Sequence, residues 1–233
     1  MYSSTLEGPV LLVGAAHVID LDAAIRAGLR DHPLDAIAVE LEEERARALL
    51  AEPEPGTRSG GAPLFLRLWV VIQRRLGAEL GSGVAGAEMR SAARLARERG
   101  IPLLLIDDPI RETIGRLLAS LSFKERVGLL VGSIVGVFVP ARVVRHELDR
   151  YVEAPNDFVD QMRAAYPGVA RVLLDERNEH MAARLMEARH RGMGRVAAVV
   201  GDAHVPGLAA ALRRRGVPSE SVGFAQLRGT TGS

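Results

Sequence analysis

The chain contains no cysteine among its 233 residues, which excludes disulfides and any Cys-ligated zinc or iron–sulfur centre. It has no excess of charge either: 30 Lys and Arg stand against 29 Asp and Glu, a formal net charge of +1. Nothing in that balance points to nucleic acid or an anionic membrane surface as a partner, and the arginines interleave with glutamates as on solvated helix faces. Long hydrophobic runs are missing too. The longest, Val127–Val139 before Pro140, is shorter than the roughly 20 residues a bilayer span needs, and Lys124, Glu125 and Arg126 lie directly upstream. It reads as a buried helix, so no membrane span is expected. Gly128, Gly132 and Gly136 recur at every fourth residue of that run. Such a stripe of small residues lets a second helix approach closely, either within the domain or across a homodimer. Met1–Gly8 lacks a basic region followed by an apolar core, so no signal peptide is expected and the location is expected to be cytoplasmic. No His-Glu-x-x-His occurs, so this is not an ordinary zincin.

What is present is an ordinary globular composition, 48% hydrophobic and 25% charged, long enough for one large domain with a substantial core. Short apolar runs alternate with amphipathic stretches. Val10–Val13 reads as a strand, Leu21–Arg30 as a helix capped by Asp20, and Ala36–Leu41 as a second strand, together a right-handed parallel βαβ unit. Glu42–Glu52 follows as a charged helix, and 51–63 as a mobile turn-rich loop. Helices are expected at Leu64–Leu80, at Ala87–Arg99 before Gly100, and at Ile110–Leu121, Phe123–Val139, Ala141–Glu153 and Asp157–Tyr166. A strand is expected over Ile101–Ile106. Ala170–Leu174 reads as the entry to a helix at Glu176–Arg191. A strand from Val196, a helix at Gly207–Arg215, a last strand near Ser221–Phe224 and a frayed 228–233 complete the chain. The expected fold is α/β, a central mixed or mostly parallel sheet flanked by helices. One domain spans 1–233, with a helix-rich insertion over 64–168 that contains one strand near 101–106.

Two stretches far apart share a pattern: Val10-Leu-Leu-Val-Gly14-Ala-Ala-His17 and Val196-Ala-Ala-Val-Val-Gly201-Asp-Ala-His204. Each is an apolar strand followed by Gly-x-x-His. The glycine permits a tight turn that presents the imidazole where strand becomes loop. In an open α/β sheet that is the carboxyl edge, where sites assemble. Two imidazoles at one rim begin a metal site or an acid–base site. Glu40 ends the neighbouring apolar strand, and a buried carboxylate must be paired or metal-bound; Arg45 is its expected partner. Asp107 and Asp108 close another strand in the same way. Asp175-Glu176-Arg177-Asn178 opens a helix, where acidic residues complement the helix dipole, and Glu88 is similarly placed. His32, His146, His180 and His190 fall among charged residues and read as solvated.

In order along the chain, Val13-Gly-Ala-Ala-His17, Val39-Glu40-Leu41 with Arg45, Gly86-Ala-Glu88-Met89, Ile106-Asp107-Asp108-Pro109-Ile110 with Thr113 and Arg116, Leu174-Asp-Glu-Arg177 with Met181, and Val200-Gly-Asp-Ala-His204 with Gly207 resemble the TraB/PrgY family over almost the whole length. That family is similar to the TIKI proteases and, more distantly, to the GumN, ChaN and erythromycin-esterase groups. The resemblance implies a metal-dependent hydrolase, most simply a TIKI-like peptidase, with His17, His204 and Glu40 holding a divalent ion (Mn, Co or Zn). Glu40, Glu88 or Glu176 would act as base, Arg116 or Arg177 would stabilise the oxyanion, and Asp107 would support the site. Its alternatives are a PrgY-like protein that captures a peptide without turnover, and an esterase-like hydrolase with His17 as a metal-free base. The chain departs from the family where Asp-Arg-Asp/Pro-Ile is usual and Asp108 replaces the basic residue, which removes an ion pair or adds a ligand. Many archaeal members carry transmembrane helices after the domain; this chain stops without them and looks like the soluble domain alone.

Overall fold

The computed structural model describes residues 8–15, 29, 32–50, 87–122, 124–125 and 155–222. The apolar runs form one sheet. Its strands are β1 (Val10–Ala15), β2 (Ala36–Val39), β3 (Leu103–Leu105), β4 (Val196–Gly201) and β5 (Ser219–Val222). They lie in the order β3-β2-β4-β1-β5, and every neighbouring pair is parallel. A parallel sheet covered on both faces needs strands that are apolar on both sides. β2 and β4 meet that condition: Ala36–Val39 and Val196–Val200 are fully buried.

Side chains alternate between the two faces of a strand. Val10, Leu12, Ala36, Ala38, Val196, Ala198 and Val200 pack with Met181 and Leu185 of α6 (Arg177–His190) and Leu208 and Leu212 of α7 (Val205–Arg214). Leu11, Val13, Ile37, Val39, Ala197 and Val199 pack on the opposite layer, against Leu29 and the Met89, Ala92, Leu95 and Ala96 stripe of α2 (Ala87–Arg99). The remaining helices are α1 (Glu43–Leu50), α3 (Ile110–Ser120), α4 (Pro155–Ala165) and α5 (Pro167–Ala170). A π-helical segment, Arg171–Glu176, joins α5 to α6, and a 3-10 turn, Asp202–His204, joins β4 to α7.

The path from β1 to β2 to β3 runs one way across the sheet with α2 on one face. From β3 back through β4 to β5 it runs the other way, with α6 and α7 on the opposite face. Right-handed crossovers require that switch. β2 therefore hands its chain toward one edge while its neighbour β4 hands its chain toward the other. Between their carboxyl ends a crevice opens, the position where open α/β sheets bind ligands.

Most boundaries move by one or two residues for identifiable reasons. Glu42 does not join α1 but caps it, its carboxylate accepting the N–H groups of Glu44 and Arg45 at 2.8 Å each. α2 matches expectation, ended by Gly100 at φ +64°. The strand expected at Ile101–Ile106 shrinks to β3 and forms the sheet edge beside β2. α7 starts at Val205 rather than Gly207, and β5 precedes its expected position. His17, His146, the helix at Leu21–Arg30 apart from Leu29, the segments 51–86 and 126–154 with the Gly128/Gly132/Gly136 stripe, and the tail 228–233 lie outside the described residues. Among the described residues no helix is long and apolar enough to cross a membrane.

Candidate functional site

Glu40 directly follows β2, and its backbone N–H still donates to Val199 O of β4 at 3.1 Å. From there its side chain crosses to the end of β4, where the Gly201 N–H donates to Oε2 at 2.7 Å. The other carboxylate oxygen, Oε1, accepts from Arg177 Nη2 at 2.5 Å. Arg177 is the first residue of α6, and each of the five N–H donors of a guanidinium finds a partner here. Nε and Nη2 grip Asp107 Oδ1 and Oδ2 at 2.8 Å each, Nη2 also serves Glu40, and Nη1 serves His204 Nε2 at 3.1 Å and Leu173 O at 3.4 Å. Asp107 closes the β3 end and is buried. One guanidinium thus ties the carboxyl ends of β2, β3 and β4 to the start of α6.

His204 is buried at the end of the 3-10 turn. Its Nδ1 lies 2.9 Å from Asn178 Oδ1. A guanidinium can only donate, so Nε2 is the accepting nitrogen, and the ring hydrogen sits on Nδ1 and is donated to Asn178. Two glycines make room for this. A Cβ on Gly207 would collide with the Asn178 amide, and one on Gly14 with the Asp202 carboxylate.

Burial works against a charge on Glu40, but the Arg177 guanidinium and the Gly201 N–H outweigh it and hold the carboxyl well below the ordinary range. Burial likewise disfavours the Arg177 cation, and its bonds to Asp107 and Glu40 overcome that, fixing the proton more firmly than in a free arginine.

The structure therefore brings together Glu40, His204, Arg177 and Asp107 from the sequence-derived set. Arg45 is a correction. It donates to Asp107 Oδ2 at 3.2 Å rather than to Glu40, because the Glu42-capped start of α1 lies beside the β3 end. Arg116 and Glu176 join each other, Nε to Oε2 at 3.1 Å, and Arg116 also pairs with Asp108. Neither hydrogen-bonds to Glu40 or His204 among the described residues. Glu88 lies in the first turn of α2, on the opposite layer from α6, and among the described residues makes no hydrogen bond to the cluster. His180 is a second correction: its Nδ1 lies 2.9 Å from Asp108 Oδ1, so it is not simply solvated, whereas His32 and His190 are exposed. Asn178 was read only as part of a helix start; Gly207, the residue it packs on, was the further signal.

His17 follows β1 by two residues, and Ala15, the last residue of β1, is in register with Gly201. The other two expected metal ligands do meet: Glu40 Oε1 and His204 Nε2 are 3.3 Å apart. The Arg177 guanidinium reaches both of these atoms, Nη2 meeting Glu40 and Nη1 meeting His204. A second cation there would be repelled, and a metal would have to displace Arg177 from buried Asp107. No group of three His, Asp or Glu side chains that could hold a metal occurs among the described residues. As arranged, the described site does not fit a metal ion.

The TraB/PrgY/gumN family model matches residues 3–220. The chain is also 27% identical to the uncharacterised protein MJ1365 of Methanocaldococcus jannaschii, over 92% of its own length and 56% of that relative's. It thus spans little more than half of the relative it matches. The chain belongs to the TraB/PrgY/gumN family.

Proposed function

We propose that this TraB/PrgY/gumN family member is a hydrolase acting on peptides at the crevice between the carboxyl ends of β2 and β4, without a resident metal. The observation that carries the reading is the Arg177 guanidinium, held by buried Asp107, partly buried Glu40 and the buried His204 imidazole at the topological switch point. Such a network adds little net stability over well-packed apolar side chains. Its presence in a crevice is therefore better explained by chemistry.

His17, following the strand whose end is in register with Gly201, would take a proton from water as the water oxygen bonds to the peptide carbon. Three of Arg177's donors are committed to carboxylates. The Nη1 pair, shared with His204 and with the long contact to Leu173 O, would exchange one of those contacts for the developing oxyanion. Asn178 fixes the His204 tautomer, so that Nε2 holds Nη1 in place until the substrate arrives. Collapse of the tetrahedral intermediate breaks the C–N bond, and the His17 imidazolium returns the proton to the leaving amine.

The test is a peptide-library cleavage assay with and without chelator. Cleavage should survive chelation, vanish in His17→Ala, and fall about 10²–10³-fold in Arg177→Lys, the range for losing an oxyanion donor. Cleavage that requires added Mn, Co or Zn would restore the metal-dependent reading. Stoichiometric capture with the peptide recovered intact would replace hydrolysis by sequestration.

A further inference from the structure

A second ionic cluster lies beside the first but belongs to a different surface. Asp107 and Asp108 are consecutive, and they hold residues three apart on α6: Asp107 grips Arg177 and Asp108 grips His180. Asp108 is buried. Its Oδ2 takes Arg116 Nη2, which fixes the carboxylate from the α3 side, and its Oδ1 faces His180 Nδ1 at 2.9 Å. A carboxylate accepts, so in the neutral ring the hydrogen sits on Nδ1 and the lone pair remains on Nε2.

The His180 side chain is 35% exposed and lines a groove of about 820 Å³ along β3. Leu103–Leu105 form the floor of that groove. Glu43 and Glu44 of α1 stand on one wall, and Arg184 of α6, one turn beyond His180, stands on the other. We infer that Asp108 and His180 form a positioning-residue and base pair serving this groove, with ester or amide acyl compounds as the ligand class. His180 Nε2 takes a proton as a water oxygen bonds to the acyl carbon. The bond to the leaving oxygen or nitrogen then breaks, and the imidazolium returns the proton to it. The leucine floor receives the apolar part of the acyl chain, and Arg184, paired at rest with Glu187 at 2.7 Å, exchanges that partner for the oxyanion. This inference does not depend on the crevice reaction, which uses none of these side chains.

The probe is p-nitrophenyl acetate with the full chain. Wild type should hydrolyse it faster than free imidazole at equal concentration. His180→Gln should lose about 10²-fold, at the low end of general-base contributions, while His190→Gln, exposed on the same helix, keeps the wild-type rate. Asp108→Asn should fall by a smaller factor and move the ¹⁵N signals of His180 from the Nδ1–H tautomer toward a mixture, a change that loss of packing alone would not produce. In unmodified protein, diethylpyrocarbonate should acylate His180 ahead of His32 and His190, as mapped by mass spectrometry. A wild type no faster than imidazole, a His180→Gln protein as fast as wild type, or equal acylation of the three histidines would each overturn the inference.

Discussion

β2 and β4 lie side by side and carry an acid paired with an arginine at both ends. Before the amino ends, Arg195 donates to Asp35 from Nη2 at 2.7 Å and from its backbone N–H at 2.9 Å, with side chains 41% and 26% exposed. Beyond the carboxyl ends, Arg177 and Glu40 meet at 2.5 Å with side chains 15% and 12% exposed, and Asp107 and His204 are bound into the same group. Both carboxyls titrate below their ordinary values, for different reasons. Asp35 is lowered chiefly by its hydrogen bond from Arg195. Glu40 is lowered in spite of a desolvation that is its largest single influence and acts the other way, whereas at Asp35 burial comes second to the hydrogen bond. The amino-end pair is screened by water and serves as a clasp between strands. The carboxyl-end group is out of water, so each member depends on the others.

Removing one arginine from each end should separate them most. Arg177→Met leaves buried Asp107 and partly buried Glu40 without their cation, and urea denaturation should show a loss of about 3–5 kcal/mol. A loss under about 1 kcal/mol would mean that the carboxyl-end group is as well solvated as the clasp. Next in size is Gly207→Ala. The new Cβ must push Asn178 away from His204, leaving a buried donor unpaired at a cost of about 1–3 kcal/mol. The same variant should scramble the His204 tautomer seen by ¹⁵N NMR.

Acid titration gives a smaller contrast. The carboxyl of Glu40 is lowered in the folded state, so the folded chain binds fewer protons than the unfolded one as pH falls below 4.5, the ordinary value. The stability it contributes is complete above that pH and is lost as pH drops toward the lowered value. Glu40→Gln should flatten this acid limb of the stability curve more than Asp35→Asn does; equal flattening would erase the distinction. The smallest effect belongs to Arg195→Met, whose urea midpoint should stay close to that of wild type, and closer still at high salt.

Much of the frame was legible locally. The helix Ala87–Arg99 and the buried strand from Val196 were readable because a glycine stop and an unbroken apolar run act within a few residues. The rim was legible too, since Glu40, Asp107 and the His204 motif each end an apolar strand, and parallel strands bring such ends together. Partners were not. Arg45, close in sequence, was the natural candidate for Glu40, yet the ion that holds it is Arg177, 137 residues away. His180 was read as solvated, and Asn178 only as part of a helix start, for a related reason. The widened π turn Arg171–Glu176 changes the phase in which Arg177, Asn178 and His180 leave the segment. A π insertion departs from the 3.6-residue period and is often found at functional sites.

The sequence by itself determined most of the strands, a mixed or mostly parallel sheet and the chemistry at the strand ends, because burial patterns, glycine turns and right-handed crossovers are short-range rules. Tertiary structure decided which charges meet. Packing α6 across the ends of β2, β3 and β4 brought one guanidinium onto both Glu40 and His204, two of the residues for which the family resemblance implied a metal. Which cation occupies a buried site depends on what the fold brings within hydrogen-bonding distance, and that is not written in any local stretch of the chain.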